Sequence, residues 1–233
     1  MNTEKLSIPL AIIIAGGLIA GALYYSNIKS AEQMAKVKNV PVGTTDTSGS
    51  MRPISADDHI LGNPNADVIV VEYSDLECPY CKQFHTTLQR MMAEYGKDGK
   101  VAWVYRHFPI DGIHPKSRKE SEATECANEL GGSGKFWEYT NMVYNITTSN
   151  NTLDPAQLPI IAKNVGLDVS TFNKCLSSGK YTALVQASVD DAIKTGGRGT
   201  PNSILVSKDG TKTNVIGAQP YESLKPIIDA LLK

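Results

Sequence analysis

The chain has 233 residues, of which 41% are hydrophobic and 20% charged, and its 23 Lys and Arg nearly balance 24 Asp and Glu. That composition supports one sizeable core with room for an inserted subdomain, and it excludes general disorder. No basic cluster interleaves with aromatic residues, so no nucleic-acid partner is indicated.

Leu6 to Tyr25 reads LSIPLAIIIAGGLIAGALYY, without a charge. As a helix such a stretch reaches about 30 Å, one hydrocarbon core, so residues 1–25 are expected to be a transmembrane anchor or a signal. The signal reading has a small-residue cleavage site at Ala20-Gly21-Ala22, but the apolar length exceeds a usual signal core and favours the anchor. Either reading takes the rest of the chain out of the cytosol. Charge runs against this orientation, since Lys5 stands alone before the span while Lys29, Lys36 and Lys38 follow it; long C-terminal domains translocate despite such charges. Gly17 and Gly21 have GxxxG spacing, which is common in spans and a thin basis for pairing, and a monomer is expected.

Residues 26–56, with PVGTTDTSGS at their centre, turn polar and read as a flexible linker, leaving 57–233 as the folded domain. After the turn cluster LGNPNA, DVIVVEYS is a β-branched run suited to a buried strand. A helix is predicted from Pro79, which fits a first-turn position, to Gly96. KVAWVYRHF is the next strand, and strand, helix, strand at this spacing implies a parallel pair with a right-handed crossover. Helical segments follow: HPKSRKESEATECANEL, a GGSG break, KFWEYTNMVYNI, DPAQLPIIAKNVG, DVSTFNKCLSSG and KYTALVQASVDDAIKTGG. NSILVS, the turn KDG, KTNVIGA and YESLKPIIDALLK close the chain as a hairpin and an amphipathic helix. The fold class is α/β, with strands flanking a helical block. Phe136 and Trp137 are expected to fill the core between helices, and Arg106, His107 and Phe108 to close the second strand. His107 is also a functional candidate because it falls near the same end of the sheet as the cysteines. The Asn145 and Asn150 sequons matter only in a host that glycosylates.

Chemistry concentrates in YSDLECPYCKQFH. A thiol attacks as thiolate, and the positive end of a helix dipole favours that form, which places Cys78 well. Cys81 lies one turn on, near enough to close a small disulfide, so one sulfur can attack a substrate disulfide while the other resolves the mixed intermediate. Cys78, Cys81 and His85 also look like part of a zinc set. A closed site needs a fourth ligand, and no second pair stands at zinc spacing, so no metal is assigned and His85 is read as a helix-surface residue. A purely structural crosslink would constrain the unfolded chain little over so short a loop. Redox exchange is the favoured chemistry.

VIVVEYSDLECPYCKQF, then VYRHFPI followed by HPKS, then GTPNSIL together resemble the DsbA-type branch of the thioredoxin-like thiol-disulfide oxidoreductases, in the same order and across roughly residues 57–233. The resemblance implies a thioredoxin fold with a helical insertion at about 112–179, an envelope or secreted setting, and no cofactor. It implies that Cys78 is the exposed nucleophile, that Cys81 is the buried resolving thiol, and that Thr200-Pro201 is the cis-proline loop beside the reactive sulfur. It also implies that Glu72 is an acid beneath the cysteines that exchanges a proton with Cys81. From the residues alone, Glu72 either faces solvent or sits buried with a raised pKa.

Two departures bear on direction. The dipeptide between the cysteines is Pro79-Tyr80, where strongly oxidising members carry Pro-His, and tyrosine offers no positive charge to a thiolate. Asp75 and Glu77 stand just upstream, and like charge raises a thiol pKa. A milder oxidant is the expectation. In an oxidising setting Cys126 and Cys175 are expected to form a structural disulfide, whose loop of about fifty residues contributes about 4 kcal/mol on the chain-entropy estimate.

The leading reading is a membrane-tethered oxidase that passes its disulfide to unfolded or reduced exported polypeptides and is reoxidised by a membrane quinone-linked thiol oxidase. An isomerase or reductase of envelope proteins, and a non-catalytic peptide-binding holdase, remain the alternatives.

Overall fold

Two seven-residue strands buried on both faces form the centre of the sheet, β2 (Val68–Ser74) and β3 (Val101–His107), paired in parallel from Val68↔Val101 to Ser74↔His107. The computed structural model describes residues 51–233, so the anchor expected over 1–25 and the linker as far as residue 50 lie outside the described residues. β4 (Asn202–Ser207) lies antiparallel to β2, and β5 (Lys212–Ile216) to β4. A short β1 (His59–Leu61) pairs antiparallel with β3, giving the order β1-β3-β2-β4-β5. Sequence reading missed β1, because three residues carry too little alternation to register.

Between β2 and β3 runs α1 (Pro79–Met91), continued by a π turn over Met92–Gly96, as expected for the crossover. Between β3 and β4 come α2 (Ser117–Ile146), α3 (Gln157–Asn164), α4 (Val169–Ser178) and α5 (Thr182–Lys194); α6 (Tyr221–Leu231) closes the chain. The GGSG segment interrupts α2 and divides it into two helical halves, as expected. At Gly132 the backbone takes φ 76°, a conformation that glycine alone adopts without strain.

Period-two alternation sends the strand side chains into two cores. Val68, Val70, Trp103, Tyr105 and Leu205 join Phe84 and Leu88 of α1, the α2 residues Phe136 and Trp137, and Leu224 and Ile228 of α6 in the larger one. Val71, Tyr73, Val104 and Ile204 face the other way, against Val189 and Ala192 of α5. Each such large aliphatic or aromatic side chain contributes about 1.5–3 kcal/mol on full burial.

The linker expected to run to residue 56 stops earlier. Met51 is buried in the second core. The Arg52 amide donates to Asp191 Oδ1 at 2.8 Å, and its guanidinium pairs with Asp58. Arg106, buried at the end of β3, holds Asp58 and Asp191 at 2.9 Å each. A buried guanidinium needs such partners, and the 51–58 segment supplies one of them.

Candidate active site

The turn after β2 sets the first cysteine. The Cys78 amide donates to the Asp75 carbonyl at 3.1 Å, and Cys78 takes an extended conformation as the N-cap of α1 with Pro79 next. Its sulfur therefore stands where the first turn's unpaired amides concentrate positive potential. Cys81 is fully buried one turn on, with the Asp75 amide donating to its sulfur at 3.4 Å. Both thiols are free, the reduced state.

Hydrogen bonding from the Cys81 thiol holds the Cys78 thiol down to about 6 against the opposing effect of burial. Thr200 acts on the same sulfur in two ways. Its carbonyl accepts from the Cys78 thiol at 3.5 Å, favouring the protonated form, while its side chain favours the thiolate. Burial, and then the Cys78 sulfur, push the Cys81 thiol well above its ordinary range. One sulfur is thus prepared to attack or leave at neutral pH, and the other keeps its proton.

The Thr200–Pro201 peptide is cis and lies at this sulfur, as the resemblance implied. Beside it opens a depression of about 560 Å³, lined by Thr195, Arg198, Thr200, Pro201, Asn214 and Ile216.

Glu72 is fully buried, so the solvent-facing reading does not hold. Ser74 Oγ donates to its Oε1 at 2.8 Å and Trp103 Nε1 to its Oε2 at 3.0 Å. Burial pushes its carboxyl up to about 7, although these two neutral donors oppose the shift. It reaches Cys81 through charge, raising that thiol further, rather than through a direct hydrogen bond. Ser74 and the Tyr144 hydroxyl beside it, at 2.9 Å, were not identified from sequence. Ser74 follows Glu72 on the same face of a recognised strand, which was a usable signal; Tyr144 arrives from a distant helix and gave none.

Three expectations change. Cys78 is only 5% exposed, so it is a recessed nucleophile rather than an open one, while Tyr80 beside it is 63% exposed. Asp75 and Glu77 do not keep the Cys78 thiol up, for its pKa lies below the ordinary value and their carboxylates are engaged by other donors. Asp75 Oδ2 pairs with His114 Nδ1 at 2.9 Å and accepts from the Ile110 amide. Glu77 accepts from Thr147 Oγ1 and from the amides of Asn151 and Leu153. That ties the cysteine turn to the loop after α2. Finally, His85 is buried rather than on the surface. It lies against Trp103 and Tyr144, its Nε2 is 2.7 Å from Asn141 Oδ1, and burial lowers its pKa to about 4.

Cys126 and Cys175 form the expected disulfide, joining α2 to α4 with an S–S distance of 2.01 Å. Phe136 and Trp137 are buried as expected, packed among Trp103, Tyr105 and His59. His107 meets two residues that sequence reading did not select, His59 and Glu125.

A family profile described as Thioredoxin matches residues 55–230. The fold and the thiol pair are those of a thioredoxin-like thiol-disulfide oxidoreductase. The chain belongs to the thioredoxin family. It is 25% identical to the crystal structure of Pseudomonas aeruginosa DsbA2, covering 77% of this chain and 97% of that one with a TM-score of 0.63. A thioredoxin-like oxidoreductase from Silicibacter pomeroyi DSS-3 is 28% identical over 76% of this chain and 92% of that one, with a TM-score of 0.61. Among curated proteins, Na(+)/H(+) antiporter NhaA 3 of Salinispora tropica is 34% identical over 65% of this chain. That match covers only 22% of the antiporter's length, so the chain spans about a fifth of this relative.

Proposed function

We propose that the chain is a membrane-tethered oxidase that introduces disulfides into exported proteins at Cys78-Pro-Tyr-Cys81. The observation that carries this reading is the separation of the two thiols, Cys78 held down to about 6 and Cys81 pushed well above its ordinary range. Stabilising the Cys78 thiolate stabilises the reduced protein, which makes its disulfide the more oxidising.

In the forward direction a substrate thiolate attacks Cys78 Sγ of the disulfide. The Cys78–Cys81 bond breaks as the mixed disulfide forms, and Cys81 leaves with the electron pair. Glu72, with a pKa of about 7, supplies the proton that the buried Cys81 requires. A second substrate thiolate then attacks the substrate sulfur of the mixed disulfide, and Cys78 departs as the stable thiolate. The substrate is oxidised by two electrons and the protein reduced by two. A membrane quinone-linked thiol oxidase restores the disulfide. Thr200 and Pro201 border the depression where an unfolded or reduced exported polypeptide lies, and the chain works as a monomer.

Support for the anchor is the uncharged run from Leu6 to Tyr25; among the described residues no helix is long and apolar enough to cross a membrane. The catalytic domain then sits on the extracytoplasmic face.

The test is refolding of a reduced substrate protein by the oxidised chain, beside insulin reduction and rescue of a scrambled substrate. Faster oxidation than rescue or reduction supports the oxidase. Rescue that outpaces oxidation assigns an isomerase. Labelling of intact cells with an impermeant thiol reagent should modify Cys78, and labelling only after lysis would put the domain in the cytosol.

A further inference from the structure

We propose that His59, His107 and Glu125 form a binding site for a single divalent transition-metal ion of the Zn²⁺ class, separate from the thiol pair. His59 comes from β1, His107 from the end of β3 and Glu125 from α2, so three elements far apart in sequence converge. His59 Nε2 and His107 Nε2 lie 2.7 and 2.8 Å from the same carboxylate oxygen, Glu125 Oε1. One ligand atom from each residue lies within 4.8 Å of the other two, and all three residues are buried.

Two imidazole nitrogens and one carboxylate oxygen suit zinc and its neighbours, not calcium or magnesium, which take oxygen shells. Three protein ligands with an open fourth position is also an arrangement that zinc adopts with a bound water. A cavity of about 170 Å³ touches all three residues and gives that position room. Arg106 lines the same cavity, but Asp58 and Asp191 neutralise it, so it does not oppose a cation.

Tetrahedral bonds of about 2.0–2.1 Å set neighbouring donor atoms about 3.3 Å apart, so each imidazole nitrogen retreats from Glu125 Oε1 by about half an ångström while the two imidazole nitrogens, which lie within 4.8 Å of each other, close to that spacing. His107 Nδ1 is buried without a hydrogen-bond partner. In the metal-free protein Nε2 of each ring donates to Glu125 Oε1, so the ion displaces those protons, and on His107 the remaining proton moves to Nδ1. His59 is stacked on Phe136 at 3.5 Å between centroids, which holds its ring in place.

The test uses the full chain carrying Cys78→Ser and Cys81→Ser, which removes the thiols as competing ligands. After chelator treatment it is titrated with Zn²⁺ by calorimetry and with Co²⁺ by absorbance. One equivalent is expected to bind, with visible cobalt bands of nitrogen and oxygen ligation. Glu125→Gln or His59→Gln in the same background should weaken binding by about a hundredfold. In case either variant does not fold, the parent double-serine protein should gain roughly 5–10 °C in thermal midpoint at about a hundredfold excess of Zn²⁺ over its Kd. Absence of saturable binding to the double-serine protein, absence of that thermal shift, or binding that both folded variants retain would each overturn the proposal.

Discussion

Glu72 and Glu125 lie buried beneath the same side of the sheet, and burial alone would push both toward the neutral form. Glu72 receives only the neutral donors of Ser74 and Trp103 and rises to about 7, while Glu125 receives two imidazoles and stays at about 2. The difference teaches that the donors, and not the depth, set the charge of a buried acid here. A carboxyl near 7 can lend and recover a proton beside a thiol at physiological pH; one near 2 can serve only as a fixed charge or a ligand.

The largest expected effect falls on the thiols themselves, beside which Glu72 lies. Cys78→Ser should remove disulfide exchange, at least about a thousandfold in rate, and Cys81→Ser should accumulate mixed disulfides that electrophoresis without reductant reveals. Next comes Glu125→Ala, which leaves two buried imidazoles without their acceptor. A loss of about 3 kcal/mol in denaturant unfolding is expected, with exchange activity retained.

Glu72→Gln sharpens the contrast through pH. A carboxyl raised in the folded state favours folding fully below its unfolded pKa of about 4.3 and loses that contribution as pH rises through about 7. The wild-type chain should therefore lose up to about 3 kcal/mol between those values, and the variant should not. Glu125 works with the opposite sign. Its contribution is present above about 4.3 and is lost as pH falls through about 2, so Glu125→Gln should flatten the acid limb. Both are read from unfolding midpoints at fixed pH. The smallest effect is expected from Tyr80→His, which places a partly charged ring near Cys78. Because Tyr80 is 63% exposed, the thiol midpoint should fall by less than about one unit.

These two acids also mark how far the sequence could be read. VIVVEYS and VAWVYRH announced themselves by β-branched and aromatic runs, and Pro79 and the cysteine spacing fixed the start of α1. The site around Cys78, Cys81, Glu72 and Pro201 was legible because it is built from short contiguous motifs. Glu125 was not, for it sits in a helix rich in Glu and Lys where one inward-facing acid looks like its solvated neighbours. Its partner His59 lies on a three-residue strand with no periodic signature. His85 misled for a related reason. A polar residue on α1 reads as solvent-facing unless one knows that α2 covers that flank and offers Asn141 as a partner. The carboxylates of Asp75 and Glu77 likewise bear on Cys78 only as far as their tertiary partners allow, and spacing alone does not reveal those partners.

The central claim is that Cys78 is held as a thiolate and that this makes the disulfide an oxidant. Absorbance titration of the Cys78 thiolate, combined with equilibration of the same protein against glutathione, tests it most directly. The account predicts a midpoint near 6 and a potential clearly above the roughly −270 mV of thioredoxin. A midpoint at the ordinary thiol value of about 8.5, with a potential at or below that of thioredoxin, would contradict it.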